Sequence, residues 1–234
     1  MERFERKYLL TLVQYYQLRH TLLPYLKVDA HMNTHDGRYL VRSLYFDNHH
    51  LDAYHDKATG EHSRVKCRLR CYSTEYNPFQ IVSVELKCRR GALVQKYSEK
   101  VKALDCQEFL QTGHWSRQTP VLEEFERRMY QNALQPKTIV QYEREAYFYT
   151  GDIRLTFDHQ IQGVGASVLF SNEQQYFRDL CRHAVVLEIK HHQPLPQFFI
   201  AVIQQYSLKQ VPYSKYGRSV EICYPALNLA PQYN

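Results

Sequence analysis

What this sequence lacks narrows its chemistry before any motif is read. No apolar run approaches the roughly 18 to 20 residues that a membrane-crossing helix requires, and no signal peptide opens the chain. Its 6 cysteines include no CxxC pair. Cys67 and Cys71 share one face of a predicted strand, and the set reads as reduced, mostly buried thiols of a cytoplasmic protein. The 12 histidines include no HExxH segment, and the adjacent pairs His49-His50 and His191-His192 would diverge on a strand. Neither an RNP-like run nor a Gly-rich aromatic motif is present, which weighs against a nucleic-acid-binding sheet despite 20 Tyr and 11 Phe. Repeats, low-complexity tracts and linkers are missing too, so one domain over residues 1–234 is expected.

What is present is a mild cationic excess. With 30 Lys+Arg against 24 Asp+Glu the net charge is +6, which fits an anionic ligand without choosing among phosphate, nucleic acid and a plain basic surface. The segment SRVKCRLRCY, residues 63 to 72, sharpens the question. Arg64, Lys66, Arg68 and Arg70 take every second position, and Val65, Cys67, Leu69 and Cys71 fill the gaps. Period-two alternation marks a strand with two unlike faces. Cations in such a row repel one another, so they face either bulk water or something strongly anionic.

The pattern recurs along the chain. Strands are predicted over residues 2–9, 38–48, 63–72, 80–90, 92–102, 137–149, 152–161 and 183–192, with turns at Gly91 and Gly151. Helices are predicted over 11–26, near 105–112, from Thr119 as N-cap with Pro120 at the first helical position, and over 195–207. Glu5 shares a strand face with Lys7, Glu85 with Lys87 and Arg89, and Ser98 with Lys100 and Lys102. The same holds for Tyr142 with Arg144, for Arg154 with Thr156 and Asp158, and for Glu188 with Lys190. The intervening residues, such as Val82, Val84 and Leu86, are apolar.

For any one strand, a solvated charged face is the plain reading. Taken together, the recurrence of Arg and Lys beside an acid and the liability of bare sheet edges favour closure. The expected fold is α+β: a closed antiparallel β-barrel, a tunnel with a charged lumen and helices packed outside. Clustered like charges make such a lumen costly when empty, and a polyanion reverses the sign. Phosphate oxygens suit Arg forks and Lys ammonium groups. Glu5, Glu85, Asp158 and Glu188 would repel a phosphate chain unless Mg²⁺ or Mn²⁺ stood between them. Cations for phosphate and acids for a metal together make phosphoryl-transfer chemistry.

The segments ERKYLL, RSLYFDN, CRLRCY with its R-x-R, ELK, YEREAY, RLTFD, VLEIK and SKYGRS occur in this order. The series resembles the catalytic domain of the vacuolar transporter chaperone (VTC) family of polyphosphate polymerases, in its bacterial stand-alone form, within the triphosphate tunnel metalloenzyme superfamily. The resemblance runs from residue 2 to residue 222. It implies that Lys7, Arg68, Arg70, Lys87, Arg144, Arg154 and Lys215 line a tunnel and hold phosphates, with Lys100 as a further basic position. Tyr142 and Ser214 would add hydrogen bonds to phosphate. Glu188 corresponds to the family's metal-binding acid, with Glu5, Glu85 and Asp158 as further carboxylate candidates. The implied cofactor is Mn²⁺ or Mg²⁺, and the implied partners are ATP and inorganic polyphosphate, with no nucleic acid.

The implied reaction transfers the γ-phosphoryl group of ATP to the end of a growing polyphosphate chain, releasing ADP. The acceptor phosphate is already an ionised nucleophile, so no strong general base is needed and no Ser-His-Asp or Cys-His constellation is expected. No counterpart of the eukaryotic members' SPX domain and membrane helices is expected here, so coupling to membrane transport would need a separate membrane protein. Two alternatives stay open. A related branch of hydrolases, tripolyphosphatases and nucleoside triphosphatases, opens with Glu-x-Glu-x-Lys; here Arg3-Phe4-Glu5-Arg6-Lys7 has one acid fewer, which favours the polymerase. The other is a non-catalytic polyphosphate- or nucleic-acid-binding module.

Overall fold

The computed structural model describes residues 4–32, 37–58, 63–90, 93–150, 153–166, 168–170 and 175–225. Its strands are β1 Phe4–Thr11, β2 Lys27–Val28, β3 Tyr39–Asp47, β4 Ser63–Cys71, β5 Ile81–Arg90, β6 Leu93–Lys102, β7 Gln135–Tyr149, β8 Ile153–Gly165, β9 Arg178–Asp179 and β10 Ala184–His191. Its helices are α1 Leu12–Leu22, α2 Asp52–Ala58, α3 Ala103–Thr112, α4 Pro120–Gln131, α5 Gln197–Gln205 and α6 Lys215–Cys223. The α+β class follows, and each long strand lies where alternation places it. Both predicted turn glycines, Gly91 and Gly151, fall outside the described residues.

Local chemistry explains the element boundaries. Thr11 and Gln14 form a reciprocal capping box at the start of α1: the Thr11 side chain accepts from the Gln14 amide, and the Gln14 side chain accepts from the Thr11 amide. The helix stops at Leu22 instead of running to residue 26. Pro24 removes an amide donor, and Leu23–Tyr25 tightens into a 3-10 turn. At α4, Thr119 accepts from the Leu122 amide and Pro120 opens the helix, as expected. Gly113, at φ 79°, ends α3 in the left-handed region where a side chain would be strained.

The strand order is β1-β10-β8-β7-β3-β4-β5-β6, with β2 added on β7 and β9 on β8. Ladder after ladder is antiparallel. The expected closure into a barrel is not confirmed. Among the described residues β1 and β6 end the order and no hydrogen-bonded ladder joins them, so the sheet is large and antiparallel but not closed by hydrogen bonds. Alternation sets which face of each strand is apolar; it does not encode whether the first and last strands share a ladder.

The chain divides into two compact units. Unit one comprises Met1–Leu40, Tyr142–Ile161 and Cys181–Ser214; unit two comprises Val41–Gln141, Gln162–Leu180 and Lys215–Asn234. The core of unit one gathers Leu10, Leu155, Phe157, Leu187 and Ile189 from the strands, and Tyr15, Leu18 and Leu22 of α1 pack onto them. Each such side chain contributes on the order of 2 kcal/mol by burial. In unit two, Leu69, Val82, Val84 and Leu86 meet Phe109, Leu122 and Phe125 of α3 and α4. The lone tryptophan belongs to this core: Trp115 stacks on Phe109 with ring centroids 4.1 Å apart. Burial pushes the Cys67 thiol up to about 12 and the Cys71 thiol to about 11, the behaviour of inert core residues.

The closing segment, to which sequence periodicity assigns no element, is α6. Its seat in unit two requires Gly163, because a Cβ there would stand 2.5 Å from Ser219 Oγ of α6. Ser219 in turn hydrogen-bonds Thr138 of β7. These contacts fix the helix whose first residues are Lys215 and Tyr216.

Candidate functional site

In unit two the polar faces of β3, β4, β5 and β6 come into register. Tyr45 lies opposite Arg68 and Ser43 opposite Arg70. Arg68 lies opposite Glu85, Arg70 opposite Ser83, and Lys66 opposite Lys87. Ser83 then faces Lys100, and Lys87 faces Lys96. The spacing of the basic strand therefore builds a two-dimensional cationic field. The side chain of Arg64 lies outside the described residues.

Glu85 is the hub of this field. Arg68 Nε donates to Glu85 Oε2 at 2.6 Å, Lys96 Nζ to Oε1 at 2.7 Å, and Arg70 Nη1 stands 3.9 Å from Oε2. Burial by itself would raise this carboxyl; the Arg68, Arg70 and Lys96 charges win and hold it well below the usual carboxylate range. Arg70 Nε also donates to Ser43 Oγ at 3.1 Å. Asp47, at the end of β3, accepts from the amides of Asn48, Ala53 and Tyr54 and from the Tyr216 hydroxyl, which fastens α2. Lys215 is buried at the start of α6, Lys87 is half-buried and Lys100 is exposed. Lys96 is the residue of this field that strand-face reading missed; its place opposite Lys87 depends on the β5–β6 register.

Unit one carries a different pattern. On β1 and β10, Glu5 lies opposite Lys190 and Lys7 opposite Glu188, a checkerboard of charge. Lys7 Nζ is 2.8 Å from Glu5 Oε1 and donates to the Tyr213 carbonyl at 3.1 Å, and Lys190 Nζ is 2.5 Å from Glu188 Oε1. On β8, Thr156 lies opposite Glu188 and Arg154 opposite Lys190. Arg144 grips Asp158 through two bonds, Nε to Oδ1 at 2.7 Å and Nη2 to Oδ2 at 2.9 Å, with its guanidinium 5.1 Å from the Tyr142 ring. Asp158, Tyr142 and Glu188 outweigh the burial of Arg144 and stabilise its charge. Arg154 donates to Asp29 at 2.9 Å, and Ser214 is half-buried beside Tyr213. Thus Lys7, Tyr142, Arg144, Arg154, Asp158, Glu188, Glu5 and Ser214 belong to unit one; Arg68, Arg70, Glu85, Lys87, Lys100 and Lys215 belong to unit two.

Among the described residues no three His, Cys, Asp or Glu side chains gather into a metal-holding group. A Mg²⁺-like ion held partly by phosphate needs only one or two carboxylates. Asp158 does not suit that task, since both its oxygens engage Arg144, and Glu85 is committed to Arg68 and Lys96. Glu188 suits it better. Thr156, directly opposite, has a buried hydroxyl with no hydrogen-bond partner, as fits a further polar group or ion beside that carboxylate.

Sequence reasoning missed a second hub in unit one. On the opposite face from Arg144, the buried carboxylate of Glu145 accepts from Tyr15, Arg19, Arg38 and Tyr147, and His159 Nε2 lies 3.1 Å away. These donors hold its carboxyl well below the usual range against the opposing effect of burial. Its partners are scattered along the chain, so no local pattern announces it.

The VTC domain family matches residues 2–224 of the chain. No curated protein matches it. Among solved structures, a protein of Bacillus halodurans described as a candidate adenylate cyclase superposes with a TM-score of 0.54 at 14% identity, covering 92% of this chain and 96% of its own. A Pyrococcus horikoshii protein gives a TM-score of 0.49 at 8% identity, covering 94% of this chain and 99% of its own. The first of these similarities concerns the fold alone.

Proposed function

Because the chain belongs to the VTC domain family, and so to the triphosphate tunnel enzymes, we propose that it transfers the γ-phosphoryl group of ATP to a growing inorganic polyphosphate chain with the help of Mg²⁺ or Mn²⁺. The observation that carries this reading is the cationic field of unit two, where Arg68, Arg70 and Lys96 share the single carboxylate of Glu85. Such an excess suits a ligand with many anionic oxygens and few other groups.

In unit two, Arg68, Arg70, Lys87, Lys100 and Lys215 bind phosphate oxygens. In unit one, Lys7, Arg144 and Arg154 do the same, Tyr142 and Ser214 add hydrogen bonds, and Glu188 with Glu5 holds the divalent ion. When bound, that ion neutralises charge on the phosphate oxygens during transfer. The remaining catalysis is positioning. Fixed cations hold two mutually repelling anions in line, and no residue need take a proton from an acceptor that is already ionised. Placement at the protein's cationic strand faces also accounts for the absence of a nucleophile–base pair among the residues named.

Incubation with ATP and Mn²⁺ tests the reading. A ladder of long polyphosphate chains on a gel is the expected result. Release of orthophosphate alone would assign the same residues to a triphosphate hydrolase, and the Arg3 position that bears on that choice lies outside the described residues.

A further inference from the structure

Tyr45 has no task in the reading above, yet it stands where the cations of unit two meet. It is buried on β3 opposite Arg68. Arg68 Nη1 donates to its hydroxyl at 3.0 Å, and the same guanidinium lies 5.7 Å from the centre of its ring. The ring also packs on Tyr216, with centroids 5.3 Å apart at 30°. Tyr216 is itself clamped, by a hydrogen bond to Asp47 and by Lys66 Nζ 4.7 Å over its ring. Tyr45 is therefore held from several directions.

A phenol hydroxyl can accept and donate at once. Arg68 occupies the accepting side of Tyr45, while its proton meets no acceptor among the described residues. A buried donor left without an acceptor costs about 1–3 kcal/mol, so the arrangement makes sense if something anionic completes it. Burial alone would raise this phenol; the charges of Arg68, Arg70 and Lys215 outweigh it and hold the group below its ordinary value, which strengthens it as a donor.

We propose that Tyr45 is a further phosphate-binding residue of unit two, its hydroxyl braced by Arg68 and donating to an oxygen of a condensed phosphate held by Arg68, Arg70 and Lys215. This inference rests on reading unit two as a site for polyphosphate-like ligands. It adds a neutral donor to a set otherwise made of cations, and so favours an oxygen at one fixed position over a diffuse anion cloud.

Tyr45→Phe keeps the ring contacts and removes the donor. The dissociation constant of tripolyphosphate, measured by calorimetry without metal, is expected to weaken about ten- to a hundredfold, the worth of a hydrogen bond to a charged group. The groups around the phenol are Arg68 and Arg70 on β4, Glu85 on β5, and Lys215 and Tyr216 on α6, with Lys66 and Asp47 beyond Tyr216. The variant retains all of them, so any part of the alkaline loss of affinity that disappears in the variant belongs to Tyr45. A role confined to bracing Arg68 would lower the melting temperature and leave the two pH profiles parallel. Equal tripolyphosphate affinity in both proteins overturns the inference and leaves the polyphosphate reading standing; no binding by the wild type overturns both. A second measurement needs no variant: tripolyphosphate should raise the pH at which one tyrosine ionises, read from tyrosinate absorbance, and an unmoved titration overturns the proposal.

Discussion

The two units treat charge in opposite ways. On the polar strands of unit one, cations have carboxylates at hand: Lys7 beside Glu5, Lys190 beside Glu188, Arg144 on Asp158 and Arg154 on Asp29. In unit two Arg68, Arg70 and Lys96 converge on Glu85, while Lys66 and Lys87 lie opposite one another across the ladder. Like charges directly opposed on a sheet are destabilising. On the proposed reading, the face of unit one supplies the carboxylates for a metal. On the same reading, bound phosphate would add negative charge to the face where several cations share Glu85. The difference teaches where the proposed roles would fall: the metal on the face where cations have their own carboxylates, and phosphate on both faces.

The largest expected effect breaks this division on the acidic side. Glu188→Gln should lower metal-dependent turnover by about a thousandfold, the scale seen when one preorganised electrostatic contact to a transition state is removed. Calorimetric binding of tripolyphosphate without metal should be unchanged. Turnover that survives the substitution sinks the assignment of Glu188 to the metal.

Next in size is the cationic side. Glu85→Gln leaves Arg68, Arg70 and Lys96 without their shared carboxylate, and removing one member of a buried ionic network costs about 3 kcal/mol or more. Thermal or urea unfolding reads the loss. Added tripolyphosphate should restore stability to the variant by a larger increment than it gives the wild type, since Glu85 no longer offsets the positive charge there. An equal increment in both would mean that the ligand does not meet these cations.

In the wild type, tripolyphosphate at a hundred times its dissociation constant should stabilise the fold by about 2.7 kcal/mol through mass action. The melting temperature reports this directly. No shift at any concentration counts against a phosphate site in either unit.

Legibility in the sequence followed the range of each interaction. The R-x-R of β4 and the apolar run Val82, Val84 and Leu86 were readable because a strand writes its two faces in period two, and Thr119 with Pro120 announced α4 within a few residues. The seat of α6 was not readable, because it depends on Gly163 and Thr138 far from Ser219 in the chain. Period two puts Lys96 on the face of Ser98, Lys100 and Lys102, but its place opposite Lys87, like that of Tyr45 opposite Arg68, comes from ladder register, which the pattern of one strand does not contain. Closure was expected from the recurrence of charged faces and the liability of bare edges, and the hydrogen-bonded order of the described strands does not confirm it. The Glu145 hub was invisible because, Tyr147 apart, its partners come from α1, from Arg38 just before β3 and from β8.

The smallest effect separates Glu85 from Glu145 by pH. Both carboxyls are held below their ordinary value in the folded protein, so each contributes stability that is present above the unfolded carboxylate value near 4.3 and is lost as pH falls below it. The wild type should therefore lose melting temperature on acidification from about pH 5 downward. Glu85→Gln should start lower and fall less steeply over the same window, because Glu145 alone of the two still takes up a proton on unfolding. For a chain of this size about 1 kcal/mol corresponds to roughly 2–4 °C, so the difference in slope is measurable by calorimetry in a pH series. Parallel slopes would mean that Glu85 does not owe its ionised state to the cations of unit two, and the contrast between the two faces would lose its energetic basis.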